Sequence, residues 1–294
     1  MISLYSYMLE NLLIKKLYDY LELIRFSKPI GFFLLMWPCW FALALSKLDT
    51  RTLFYWMIIF LLGSFLMRSA GCIINDIVDR NIDLKIKRTA SRPITSSKVK
   101  LFEAFVILII FLILSLLILM QFSLQSILIS LLSFPFIILY PFMKRITHWP
   151  QFLLGIIFSW GVLIVSIEFN QALTYNFVLL YIGCIFWTLG YDTIYAYQDR
   201  NDDIKIGIKS TAVYFNQNGR IFVGFCYSLV IIVFSYLGWN SSNFPISIII
   251  MAIIGICTYI ALKKWDINSS ESSSFYFRQN NYFAAMLFIY LLNL

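Results

Sequence analysis

The sequence predicts an all-α, polytopic transmembrane bundle, and three observations carry that prediction. Of 294 residues, 61% are hydrophobic and only 13% charged, well short of the roughly 25% charged residues of a soluble domain. Apolar runs of the length needed to cross a hydrocarbon core about 30 Å thick recur along the whole chain. The period-two alternation of a lipid-spanning barrel is absent, which leaves helices as the way to satisfy the backbone in lipid.

Taken in order, about nine stretches qualify: 27–46, 53–75, 101–120, 124–143, 152–168, 175–198, 221–238, 244–262 and 277–294. They read as one membrane domain spanning 1–294. Ahead of them, residues 1–24 alternate Leu and Tyr with Lys and Glu, the pattern of an amphipathic helix lying in the interface. That segment holds Glu10, Asp19 and Glu22 and no compact apolar run with a cleavage site. It therefore reads as neither signal nor transit peptide, which favours a bacterial inner membrane over a mitochondrial one. The stretch 265–281, "WDINSSESSSFYFRQNN", reads as a polar loop entering the last helix.

The net charge of +8 would suit a nucleic-acid partner in a soluble protein, but its distribution points elsewhere. When alternate loops are assigned to one side, starting with the N-terminus, that side collects 20 of the 23 Lys and Arg residues. The opposite side keeps Lys47 and Arg51, and Arg68 lies inside a span. The positive-inside rule then makes the N-terminus cytoplasmic and, with nine spans, the C-terminus external. The charge serves the bilayer, and no nucleic acid is expected. Five scattered cysteines without a CxxC pair and the single His148 argue against disulfide, zinc or histidine chemistry.

One phrase occurs twice. "DRNIDLKI" fills residues 79–86 and "DRNDDIKI" fills 199–206, with six of eight letters shared. The first follows the second span and the second follows the sixth. Four intervening helices put both copies on the same membrane face, as in a parallel duplication. Asp76, Asp79 and Asp83 are spaced i, i+3, i+7, and Asp192, Asp199 and Asp203 are spaced i, i+7, i+11. On helices that continued unbroken, each set would share one face.

Charges after a hydrophobic span ordinarily form a solvated loop that anchors topology. Two copies on one side, with Asp192 inside a span, point further. Carboxylates aimed from two helices into one space repel unless a cation sits between them. Oxygen-only ligands select a hard ion such as Mg²⁺, which joins a few carboxylates to substrate phosphates. Bases on the same face, Arg88, Arg92, Lys144, Arg145, Lys205 and Lys209, complete a candidate diphosphate site, with Arg25 and Lys28 as further cations nearby. Arg68, eleven residues before Asp79, lies roughly three turns deeper on nearly the same face. It is either the structural partner of a buried acid such as Asp192 or the binder of a substrate carboxylate.

At these residues the chain resembles the UbiA-type membrane prenyltransferases. "NDIVDRNID" (Asn75 to Asp83) is similar to their NDxxDxxxD motif, and "DTIYAYQDRNDD" (Asp192 to Asp203) to their second aspartate motif. "KPIG", "RSAGC", "KRTASRPI", "YPFMKRITHWPQ" and "KIGIKSTA" look like the 4-hydroxybenzoate polyprenyltransferase branch. The resemblance implies helices around a central cavity that joins a polyprenyl diphosphate to 4-hydroxybenzoate in ubiquinone biosynthesis. It implies Mg²⁺ held by Asp79, Asp83, Asp199 and Asp203 with help from Asn75 and Asp76, and a diphosphate neutralised by Arg88, Arg92, Lys144 and Arg145. Arg68 would take the acceptor's carboxylate, and Asp192 or Tyr195 would assist at its hydroxyl. The competing expectations are another aromatic acceptor within the family and a transporter with a buried Asp/Arg pathway.

Overall fold

A computed structural model describes residues 14–170, 172–239, 241 and 244–294, so residues 1–13 of the expected amphipathic segment lie outside the described residues. The described part of that segment, 14–23, is helical (α1). Leu23 is fully buried against Ala70 and Ile73, while Ile14, Leu17 and Tyr18 are exposed. The Lys16 ammonium ties α1 to Glu103 at 2.8 Å.

The rest of the chain is helix after helix, and no strand occurs among the described residues. α2 (Ile30–Leu45) carries Pro38 inside it, and α3 (Thr50–Val78) is capped by Asp49, whose carboxylate accepts from the Arg51 and Thr52 amides. α4 (Arg80–Asp83) is one turn, and α5 (Leu101–Leu119) starts on a Glu103 carboxylate that accepts from the Lys100 amide. The expected span 124–143 is broken into α6 (Leu124–Leu131) and α7 (Phe134–Ile146). Pro135 has no N–H to give the Leu131 carbonyl, which removes a helical hydrogen bond at the break, and the two pieces still make one stretch long enough to cross a membrane. Then come α8 (Pro150–Asn170), α9 (Tyr175–Ala196), α10 (Arg200–Ile206), α11 (Thr211–Phe215), α12 (Gly219–Leu237), α13 (Phe244–Lys264) and α14 (Ser270–Leu292).

Seven helical stretches among the described residues are long and apolar enough to cross a membrane, with α2 a shorter apolar helix beside them. α5 turns Ile109, Ile110, Ile113 and Leu117 outward, each about half exposed, the face a helix presents to lipid. The main core forms where α2, α9, α12 and α14 meet, around Phe41, Trp187, Tyr191, Phe234 and Phe283. Asn280 is buried there with every polar atom used. Its Oδ1 accepts from Trp187 Nε1 at 3.0 Å and from the Tyr227 hydroxyl, and its Nδ2 donates to the Tyr276 and Phe277 carbonyls. Next to it, Asn281 Oδ1 accepts from Trp37 Nε1 at 2.8 Å. Two adjacent asparagines thus fix α14 against three helices, and this corrects the loop expected over 265–281. The helix begins at Ser270 on the Ser269 hydroxyl cap; one side of its polar first half, Ser273 and Asn280, is buried, while Ser270, Glu271 and Arg278 are exposed.

Both aspartate phrases also depart from the unbroken helix expected of them. α3 ends at Val78, and Asp79 has φ −94° and ψ 2°; α9 ends at Ala196, and Asp199 has φ −109° and ψ 1°. Each aspartate then caps a new short helix, with its carbonyl accepting from the Asp83 amide at 2.8 Å or the Asp203 amide at 2.9 Å. The two copies repeat the same bend. It turns Asp83 and Asp203 back into the protein, where they are 2% and 7% exposed.

Candidate active site

The helices enclose a cavity of about 890 Å³. Asn75, Asp76, Arg88 and Arg92 line one end of it, Arg68, Tyr140, Asp192 and Tyr195 line its middle, and Phe33, Leu116, Ile137 and Phe158 are among its apolar walls.

Around the charged end, each first-phrase aspartate meets a cation. Arg25, held at φ 59° in the turn after α1, reaches both Asp76 oxygens at 2.6 and 2.7 Å. Arg92 bridges Asp76 at 3.0 Å and Asp83 at 2.7 Å. The last turn of α7 brings Lys144 to Asp79 at 2.5 Å and Arg145 to the same carboxylate at 3.6 Å. Arg88 crosses to the second phrase, pairing with Asp199 and donating to the Tyr195 hydroxyl at 2.7 Å. The cations expected for a diphosphate and the acids expected for a metal are therefore interleaved in one layer.

That layer is not balanced. Asp79 Oδ1 is buried without a hydrogen bond. Burial pushes the Asp79 carboxyl above its usual range, against the pull of Lys144. Burial, and next the negative charge of Asp199, push Asp203 up to about 7. Orphaned, crowded oxygen acceptors suit a hard divalent cation. Among the described residues no three Asp, Glu, His or Cys side chains gather into a group that could hold a metal ion.

Two expected diphosphate ligands, Lys205 and Lys209, stand outside these ion pairs. Lys205 is 74% exposed, its nearest acid being Asp202 at 3.8 Å, because the left-handed Gly207 ends α10 and leaves its last turn in the open. Lys209 Nζ donates to the Ile146 carbonyl at 3.0 Å, and the Lys209 amide to the Lys144 carbonyl at 2.9 Å. It braces the end of α7 instead of facing the cavity. Lys28 is exposed at the cavity mouth.

Arg68 and Asp192 line the same cavity, yet no acid lies within 4.0 Å of Arg68 among the described residues. The guanidinium packs over the Phe158 ring at 5.5 Å and against Gly31, where a Cβ would stand 2.7 Å from its Nε. Of the two readings of Arg68, a salt bridge to Asp192 is not what the geometry shows. Sequence reasoning left unassigned Tyr140, Gln198 and the α14 residues Ser274, Arg278 and Asn281, all of which line the cavity. The i, i+4, i+7 spacing of these last three was the available signal.

The chain matches the model of the UbiA prenyltransferase family over residues 35–288. This protein belongs to the UbiA prenyltransferase family. It is 38% identical over 274 residues to the 4-hydroxybenzoate octaprenyltransferase of Serratia proteamaculans (strain 568), covering 92% of this chain and 93% of that one. To the 4-hydroxybenzoate octaprenyltransferase of Marinomonas sp. (strain MWYL1) it is 46% identical over 203 residues, 69% of this chain and 71% of that one. The fold is that of a UbiA homolog from Archaeoglobus fulgidus bound to DMAPP and Mg²⁺, with TM-score 0.68 at 18% identity over 93% of this chain and 97% of that one. Membership in the UbiA family makes the protein a membrane enzyme and sets the transporter reading aside.

Proposed function

We propose that this protein transfers the polyprenyl group of a polyprenyl diphosphate to the ring carbon ortho to the hydroxyl of 4-hydroxybenzoate, a step of ubiquinone biosynthesis. Its charged layer would lie at the cytoplasmic face of a bacterial inner membrane. The observation that carries the reading is one cavity whose lining takes in Asp76, Arg88 and Arg92 of the acid-and-base layer and also Arg68, which has no acid within 4.0 Å among the described residues. The relatives named for 4-hydroxybenzoate supply the acceptor.

The residues divide the work by position. Arg88, Arg92 and Lys144, with Arg145 behind them, exchange their aspartate partners for diphosphate oxygens and stabilise the charge that grows there as the carbon–oxygen bond breaks. The acids they release, Asp76, Asp79 and Asp83 on one side and Asp199 on the other, would hold Mg²⁺ together with Asn75 and Asp203. That ion supplies Lewis-acid stabilisation of the leaving diphosphate. The apolar walls keep water from the allylic cation, which water would otherwise capture as an alcohol. Arg68 clamps the acceptor's carboxylate by a bidentate, charge-assisted contact and so aims the opposite end of the ring. Asp192 and Tyr195 line the cavity where the hydroxyl would lie; a hydrogen bond from that hydroxyl to Asp192 would enrich the ring. The ortho carbon forms the new carbon–carbon bond, and its proton leaves with the diphosphate.

The test is an assay of membranes containing the protein, given 4-hydroxybenzoate and a polyprenyl diphosphate with Mg²⁺ or with EDTA. A prenylated hydroxybenzoate formed only with Mg²⁺ is expected. Product with a different aromatic acceptor alone would replace 4-hydroxybenzoate, and no product with any acceptor would overturn the reading.

A further inference from the structure

The cavity has a floor, and that floor is stitched shut. Along α3 the lining runs from Asp76 at the charged end to Phe60 and Ile59, and the preceding residues of α3 do not reach it. At the Phe60 level the cavity also meets Ile118 from the end of α5, Phe122 from the turn after it, and Ile164 from α8. Directly beneath, Trp56 packs its ring against Phe122 at 4.7 Å, Phe169 at 5.4 Å and Phe60 at 6.3 Å, and Phe60 meets Phe122 at 5.4 Å. The three contacts that Phe122 and Phe169 make here are edge-on and interlock rather than slide.

Hydrogen bonds fasten the same cluster from behind. The Tyr55 hydroxyl donates to Gln121 Oε1 at 2.6 Å. The Ser123 amide and hydroxyl both donate to Glu168 Oε2, at 3.0 and 2.8 Å. Three consecutive residues of the α5–α6 turn, Gln121, Phe122 and Ser123, are thus tied to α3 on one side and to α8 on the other. A turn that only joined two helices in lipid would need none of these bonds.

From Asp76 to Phe60 is sixteen residues of α3, which at 1.5 Å per residue is about 24 Å of depth. An extended isoprene unit of four carbon–carbon bonds, each about 1.5 Å, advances about 5 Å. We propose that Trp56, Phe60 and Phe122 are a specificity-determining floor that limits the straight part of the bound prenyl tail to about five units. Tails beyond that length leave the cavity sideways into lipid and add nothing to binding. This rests on the prenyl-diphosphate reading of the cavity given above. One residue offers control in the opposite direction: Gly63 lines the channel one turn above Phe60, and a Cβ there would meet only Ile118 Cγ2 at 3.9 Å. A larger side chain at Gly63 has room and would raise the floor.

The experiment is a binding series that needs no acceptor and no turnover. The purified protein in lipid nanodiscs, with Mg²⁺, is titrated with geranyl, farnesyl, geranylgeranyl, hexaprenyl and octaprenyl diphosphates against a labelled geranylgeranyl diphosphate. For the wild type, affinity should rise with tail length and level off near the geranylgeranyl to hexaprenyl step. Phe60→Ala and Phe122→Ala should move the plateau to longer tails, and Gly63→Leu should move it about one unit shorter while geranyl diphosphate binds as before. Phe60→Leu, which keeps most of the volume, guards against a variant that fails to fold, and opposite shifts in opposite variants do not arise from misfolding. An unchanged plateau in all variants, with geranyl diphosphate still bound, would overturn the inference. Failure of 4-hydroxybenzoate prenylation alongside a shifting plateau would remove the acceptor assignment and leave the floor standing.

Discussion

Arg88 and Asp199 lie 111 positions apart, and the guanidinium grips the carboxylate through both Nε, at 2.8 Å, and Nη2, while Nη1 donates to Tyr195. The pair joins the segment after the first aspartate phrase to the second phrase, and it joins a proposed diphosphate ligand to a proposed metal ligand. On the proposed roles, a Mg²⁺ ion held by Asp199 would release Arg88, and a diphosphate held by Arg88 would release Asp199. The two should therefore bind cooperatively, each raising the other's affinity by about 5- to 150-fold. Isothermal titration of Mg²⁺ with and without inorganic diphosphate checks this. Arg88→Ala should tighten Mg²⁺ alone, weaken diphosphate and reduce the coupling.

Arg68 is expected to act on one substrate only. Arg68→Gln should raise KM for 4-hydroxybenzoate by about 10- to 100-fold, the worth of a lost charge-assisted contact, while KM for the prenyl donor stays within about twofold. Arg68→Lys should recover part of that loss, since the charge returns without the fork. Equal loss toward both substrates would make Arg68 structural.

Function and stability should conflict at Asp203. Its carboxyl is pushed from 3.8 up to about 7 by burial and then by Asp199. The folded state holds this proton more tightly than the unfolded chain, so through this group the stability of the ligand-free protein falls as pH rises from about 4 toward 7. Asp203→Asn removes that penalty. At pH 8 the variant should melt a few degrees higher, by about 2–4 °C for each kcal/mol gained, and at pH 5 the difference should shrink. Turnover should be lost at either pH.

Much of this was legible beforehand. Long apolar runs fix helices whatever surrounds them, and the acidic phrases stand out because charge is so rare in the chain. What was hidden depended on contacts distant in sequence or on bends that spacing cannot show. The helices stop at Val78 and Ala196, so carboxylates aligned on paper are folded back by the turns at Asp79 and Asp199. The polar half of α14 resembled a loop because its partners, Trp187, Tyr227 and Trp37, lie 244 to 53 positions away. Lys205 and Lys209 carry the same charge in the same phrase, and spacing cannot show that one is exposed beside Asp202 and the other donates to the Ile146 carbonyl.

A negative result is expected at Lys205. Because its ammonium is 74% exposed and 3.8 Å from Asp202, Lys205→Ala should change KM for the prenyl donor by less than about twofold, the weight of a screened surface pair. A tenfold loss would return this lysine to the diphosphate site.

The most direct measurement is prenylated hydroxybenzoate formed by membranes carrying Asp79→Asn or Asp199→Asn, normalised to inserted protein. If the two phrases make one diphosphate site, each variant alone should lose at least about a hundredfold in kcat, comparable to removing a single stabilising group from a preorganised site, although the aspartates sit on different helices. Full turnover in either variant would mean that its phrase does not hold the reacting diphosphate, and the two-phrase site would be wrong.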